Sequence, residues 1–88
     1  MKINFEDYTI LKMIERKEYF SVYSLRKNFN SLTGLGLAFS SFYRKIRYLK
    51  KEKLIVTQPL RLTEKGKKRL EKMEERLLEI LTFLSCGV

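Results

Sequence analysis

Apolar residues recur along this chain mostly at the three- and four-residue spacing of helix faces, with short β-rich runs between them. Asn4 can cap a first helix from about Phe5 to Arg16, with Asp7 at the positive end of its dipole. Phe5, Tyr8, Leu11 and Ile14 form its apolar face, with Ile10 and Met13 beside it. Lys17 and Glu18 make the exit, and Tyr19-Phe20 supplies a short strand before Ser21, which caps the next helix. That second helix is expected from Val22 to Phe29, with Val22, Leu25 and Phe29 inward and Arg26 and Lys27 outward. Asn28 to Gly36 is rich in Asn, Ser, Thr and Gly and reads as a turn region.

The stretch from Leu37 to Lys53 has the clearest two-sided pattern. Ala38, Phe42, Ile46 and Leu49 line one helical face, and Ser40, Ser41, Tyr43, Arg44, Arg47, Lys50 and Lys51 occupy the other. Small polar residues come first, then an aromatic hydroxyl, then cations. A helix so arranged can put its first turns against base edges and its later cations on phosphates. The same pattern also suits an ordinary solvated basic face. Leu54-Ile-Val-Thr57 and Leu60-Arg-Leu62 follow as two β-rich runs around Gln58-Pro59, a hairpin with proline at its turn.

Thr63 caps the last helix, with Glu64 in its first turn. Leu70, Met73, Leu77, Ile80 and Leu84 step by three and four as a heptad-like seam. Leu77, Leu78, Ile80, Leu81, Phe83 and Leu84 are six of eight consecutive residues. A helix apolar nearly all round needs cover on more than one side. The rest of so short a chain does not supply it, so the expected cover is a second subunit, seated on Leu70, Met73, Leu77, Leu78, Ile80, Leu81 and Leu84.

Charge sharpens this picture. The 88 residues carry a net charge of +9. Between Tyr19 and Leu70 thirteen Lys and Arg face only Glu52 and Glu64. Such a block suits a polyanion, nucleic acid first among them, though a solubilising lysine-rich surface has the same composition. Histidine is absent and Cys86 is the one cysteine, which leaves no imidazole base and no zinc cluster. Gly34 and Gly36 lack the Lys-Ser/Thr that a phosphate-binding loop requires and read as a turn. An enzyme is therefore not expected, nor any cofactor or metal. Lys2, Glu6 and Asp7 do not begin a secretory signal, and Leu77–Leu84 is far shorter than the about 20 residues that cross a bilayer. An intracellular, cytoplasmic protein without membrane contact is the expectation.

The sequence resembles the winged helix-turn-helix regulators over nearly its whole length, in the manner of PadR/MarR-like proteins and the small winged-helix proteins of archaeal viruses. Ser21-Val-Tyr-Ser-Leu25 looks like the start of the family's second helix. Phe42 to Ile55 looks like its recognition helix running into the first wing strand, and Leu62-Thr-Glu-Lys-Gly-Lys67 like the exit from the wing. The resemblance implies an α+β, mostly α fold: helix, short strand, helix, helix, two-stranded wing, C-terminal helix. Residues 1–62 would be the DNA-binding core, and 63–88 the dimerisation helix of the same domain. It also implies a homodimeric transcriptional regulator on double-stranded DNA, nucleoid-associated or, if viral, in a host cell. Base reading then falls to Ser40, Ser41, Tyr43, Arg44 and Arg47, and phosphate contact to Arg26, Lys27, Lys50, Lys51 and Arg61. The alternative is a protein-interaction or architectural module with a basic face. The tip Gln58-Pro59 departs from the family by lacking a cation, so the wing reaches a phosphate at most. Phe39 either wedges against a thymine methyl or tucks toward the second helix. Cys86 is either a free thiol or an intersubunit disulfide.

Overall fold

The computed structural model describes residues 4–86, so Lys2 and the last two residues of the 63–88 segment lie outside the described residues. Helix α1 spans Phe5–Arg16, and its first N–H groups are met as the sequence implies: Asn4 Oδ1 accepts from the Glu6 and Asp7 amides. Ile10, Leu11 and Ile14 are buried, while Phe5, expected on the same face, is 65% exposed.

The segment from Lys17 to Ser21 forms no strand. Lys17 caps α1 and Ser21 caps α2, so only Glu18, Tyr19 and Phe20 remain between, too few to set up a ladder. Helix α2 spans Val22–Thr33, past the expected end at Phe29. The polar residues that argued for a turn bond back onto the helix instead. Asn28 Nδ2 donates to the Ser24 carbonyl and Thr33 Oγ1 to the Phe29 carbonyl. Gly34, at φ 73°, is the left-handed residue that ends the helix.

Helix α3 spans Phe39–Lys51. Phe42, Ile46 and Leu49 are buried as the periodicity requires, but Ala38 is an exposed cap residue rather than part of that face. The Phe29 and Phe42 rings meet at 5.3 Å and join α2 to α3. Strands β1 (Ile55–Thr57) and β2 (Leu60–Leu62) pair antiparallel, with Ile55 opposite Leu62 and Val56 opposite Arg61. The pleat turns Ile55 and Leu60 into the core and Val56 and Arg61 outward.

Helix α4 spans Glu64–Cys86, with Thr63 Oγ1 accepting from the Gly66 amide as its cap. Its start packs on α1 and β2. Leu70 and Met73 are buried there, inside the chain's own core, so these two expected dimer contacts are intramolecular. Past the half-buried Leu77 the core ends, and Leu78, Ile80, Leu81, Phe83 and Leu84 all stand exposed. This overhang stretches the molecule to 43 × 29 × 21 Å and its radius of gyration to 13.8 Å. A compact chain of this length would have about 12 Å. The element order is that of a winged helix-turn-helix with a long C-terminal helix. Among the described residues no helix is long and apolar enough to cross a membrane.

Candidate nucleic-acid interface

The outer face of α3 is determined by what its inner face buries. With Phe42, Ile46 and Leu49 packed inward, Ser40, Ser41, Tyr43, Arg44, Arg47, Lys50 and Lys51 are all exposed, as expected for the base-reading and phosphate sets. Lys27 on α2 and Arg61 on β2 are exposed as well. Among the described residues, ion pairs engage Lys12, Lys45, Lys67 and Arg76, but none of Lys27, Arg44, Arg47, Lys50, Lys51 or Arg61. The cations along this surface are thus not spent on ion pairs among the described residues.

Lys45, on the same helix, shows the contrast. It lies 3.3 Å from Glu6 and 3.8 Å from Asp7, and ties α3 to the first turn of α1. Burial pushes the Asp7 carboxyl above its ordinary range, with Lys45 pulling the other way. Position in the helical repeat separates this structural lysine from Arg44 and Arg47 on either side.

Arg26 is a correction. It does not point outward: Nη1 donates to the Leu37 carbonyl at 2.8 Å, and Nε is buried without a protein partner. Asn30 grips the same residue from both sides, Nδ2 donating to the Leu37 carbonyl and Oδ1 accepting from its amide. Together they hold the bend between α2 and α3 and so aim α3. Arg26 also lies against the Tyr23 and Phe39 rings. The Phe39 ring is 6.2 Å from Tyr23, which is the tuck toward the second helix, yet it stays 42% exposed.

A cleft of about 650 Å³ runs between α3, the start of α2 and the wing, lined by Phe20, Ser21, Arg47, Lys50, Lys51 and Gln58 among others. Phe20 is fully exposed at its rim, a feature the sequence reading did not single out. A second, more apolar groove lies between α1 and the end of α2, lined by Phe5, Met13, Leu32 and Leu35 with Lys12, Arg16 and Lys17. No metal-holding cluster of His, Cys, Asp or Glu occurs among the described residues.

No family model and no curated protein matches the chain. Among solved structures it is similar to a PadR-like transcriptional regulator from Bacillus cereus strain ATCC 14579. The TM-score is 0.73 with 24% identity, over 90% of this chain and 86% of that one. At that identity the likeness carries the fold, and the winged helix is shared.

Proposed function

We propose that this chain is a sequence-specific double-stranded DNA-binding protein that regulates transcription as a homodimer. The observation that carries the reading is the outer face of α3: continuous, exposed, unpaired, graded from Ser40 and Ser41 to Lys50 and Lys51, and mounted on a winged-helix scaffold. The similar structure is that of a transcriptional regulator, which points the same way.

In this reading α3 lies in the major groove. Ser40, Ser41, Tyr43, Arg44 and Arg47 meet base edges, the two arginines bidentate to guanine. Lys27, Lys50, Lys51 and Arg61 meet phosphates, while Arg26 serves the α2–α3 bend. Leu78, Ile80, Leu81 and Leu84, exposed on the overhang of α4, form the dimer contact with Leu77 beside them. Neighbouring exposed apolar side chains on one helix are the kind of surface that supports an interaction site. Two recognition helices of a twofold dimer stand about 34 Å apart, so the operator is an inverted repeat.

Electrophoretic shift with genomic against shuffled DNA at fixed salt tests the reading. Four phosphate contacts from each chain of the dimer give a slope of log K on log salt near −7, at about −0.9 per contact. A flat salt response overturns it in favour of a protein-interaction module, and equal affinity for both pools in favour of an architectural one.

A further inference from the structure

We propose that Phe39, Tyr43 and Tyr23 form an aromatic ridge that contacts the C5-methyl groups of thymine in the major groove. This deepens the DNA-binding reading and rests on it.

Phe39 is the first residue of α3 and Tyr43 follows one turn later. Their rings stack at 5.7 Å with an interplanar angle of 21°, and Tyr23 joins from α2 at 6.2 Å. All three are roughly half exposed, so each keeps surface for a partner. The guanidinium of Arg26 sits 5.5 Å from the Tyr23 ring centre and 5.9 Å from that of Phe39, itself fixed to the Leu37 carbonyl. The ridge is therefore braced from within, and contact made through rings already held costs little ordering entropy.

Surroundings decide the partner. Neither α2 nor α3 contains a carboxylate, and Arg44 and Arg47 adjoin the ridge along α3. An apolar strip inside a purely cationic surface fits a polyanion that itself carries apolar groups. In the major groove the apolar group on an unmodified base edge is the thymine methyl. Phe39, Tyr43 and Arg47 follow one another at four-residue spacing, so one stripe of α3 offers two rings and then a guanidinium. The half-site thus pairs a thymine step with a guanine.

The test begins with the duplex selected by the unaltered protein from a random pool. Each thymine of a half-site is replaced in turn by deoxyuridine, which removes the methyl and leaves pairing intact. Affinity is expected to fall about fourfold for each methyl that the ridge covers, the value of burying one methylene. The salt slope stays the same. Phe39→Ala is expected to lose the thymine–uridine difference at the position that the Phe39 ring covers and to keep it where Tyr43 or Tyr23 makes the contact. Should that variant fail to fold, the uridine series on the unaltered protein still decides. Equal affinity for thymine and uridine at every position of a duplex that is otherwise bound specifically overturns the ridge and leaves the DNA reading standing. Failure to select any duplex overturns both.

Discussion

The carbonyl of Leu54 fills the space where a side chain on Gly66 would begin. That carbonyl also accepts from the Thr63 amide at 3.0 Å, and Thr63 Oγ1 donates to the Lys53 carbonyl at 2.6 Å. Lys53 itself takes a left-handed φ of 60° to make the bend. The exit of α3 and the entry of α4 are thus one tied corner, with no slack for a methyl.

Gly66→Ala is expected to destabilise the fold by roughly 1–3 kcal/mol, the usual cost of overpacking. Alanine is the better helix former by about 1 kcal/mol, so a purely local view expects the opposite sign. Urea denaturation followed by circular dichroism measures it. An unchanged or raised midpoint would mean that the corner yields.

Glu74 accepts from the Tyr8 hydroxyl at 3.3 Å and pairs with Lys12 at 2.9 Å, fastening α4 to α1. Burial, then the Glu74 charge, raises the Tyr8 hydroxyl above its ordinary 10.0. Hydrogen bonds to Glu74 and Glu15 raise Lys12 above 10.5. Both groups hold their protons more tightly folded than unfolded. The stability they give is complete below those ordinary values and is lost as pH rises through the raised ones. Glu74→Gln is expected to be less stable near neutrality and to lose less on going to alkaline pH. Parallel pH curves for the two proteins would remove Glu74 from this role.

Arg47→Ala is expected to cost roughly 1–3 kcal/mol at the preferred site and to relax preference at one or two base pairs. Lys51→Ala should weaken all sequences alike and lower the salt slope by about two, one contact from each chain. Competition binding on specific and random duplexes separates the roles, and identical profiles for the two variants would contradict them.

Leu81→Glu with Leu84→Glu is expected to give folded monomers, because both side chains lie outside the core. Sedimentation reports the mass, and the unchanged melting of α1–α3 reports the fold. Cys86 is exposed at the end of the same helix. A Cys86→Ser chain that remains dimeric by sedimentation keeps the interface independent of any disulfide. A wild-type monomer at tens of micromolar would end the α4 interface and the inverted repeat with it.

Periodicity made the helices legible wherever burial is one-sided. The bounds of α1 follow from residue spacing with the Asn4 cap, and Phe42, Ile46 and Leu49 on the inner face of α3 from spacing, since each helix has one wet side. Other features did not follow, each for its own reason. Asn28 and Thr33 lengthened α2 because polar side chains that usually compete with a helix can also bond back along it. Arg26 turned inward to join Asn30 on the Leu37 carbonyl, a partner remote in sequence that spacing does not reveal. Gly66 reads as a weak point in a helix until the Leu54 carbonyl is placed beside it. The division of α4 was hidden as well. One unbroken apolar run serves the core up to Met73 and then leaves it, and spacing does not mark the change.

The fastening of Tyr8 to Glu74 has a consequence for how the chain is born. These residues are 66 positions apart, so this fastening of α1 waits until α4 has been made. At about 5–20 residues per second, Tyr8 waits roughly 3–13 seconds for Glu74. Helix α1 therefore leaves the ribosome with its apolar stripe only partly covered until β2 and then α4 arrive, and that interval is when a chaperone has most to hold.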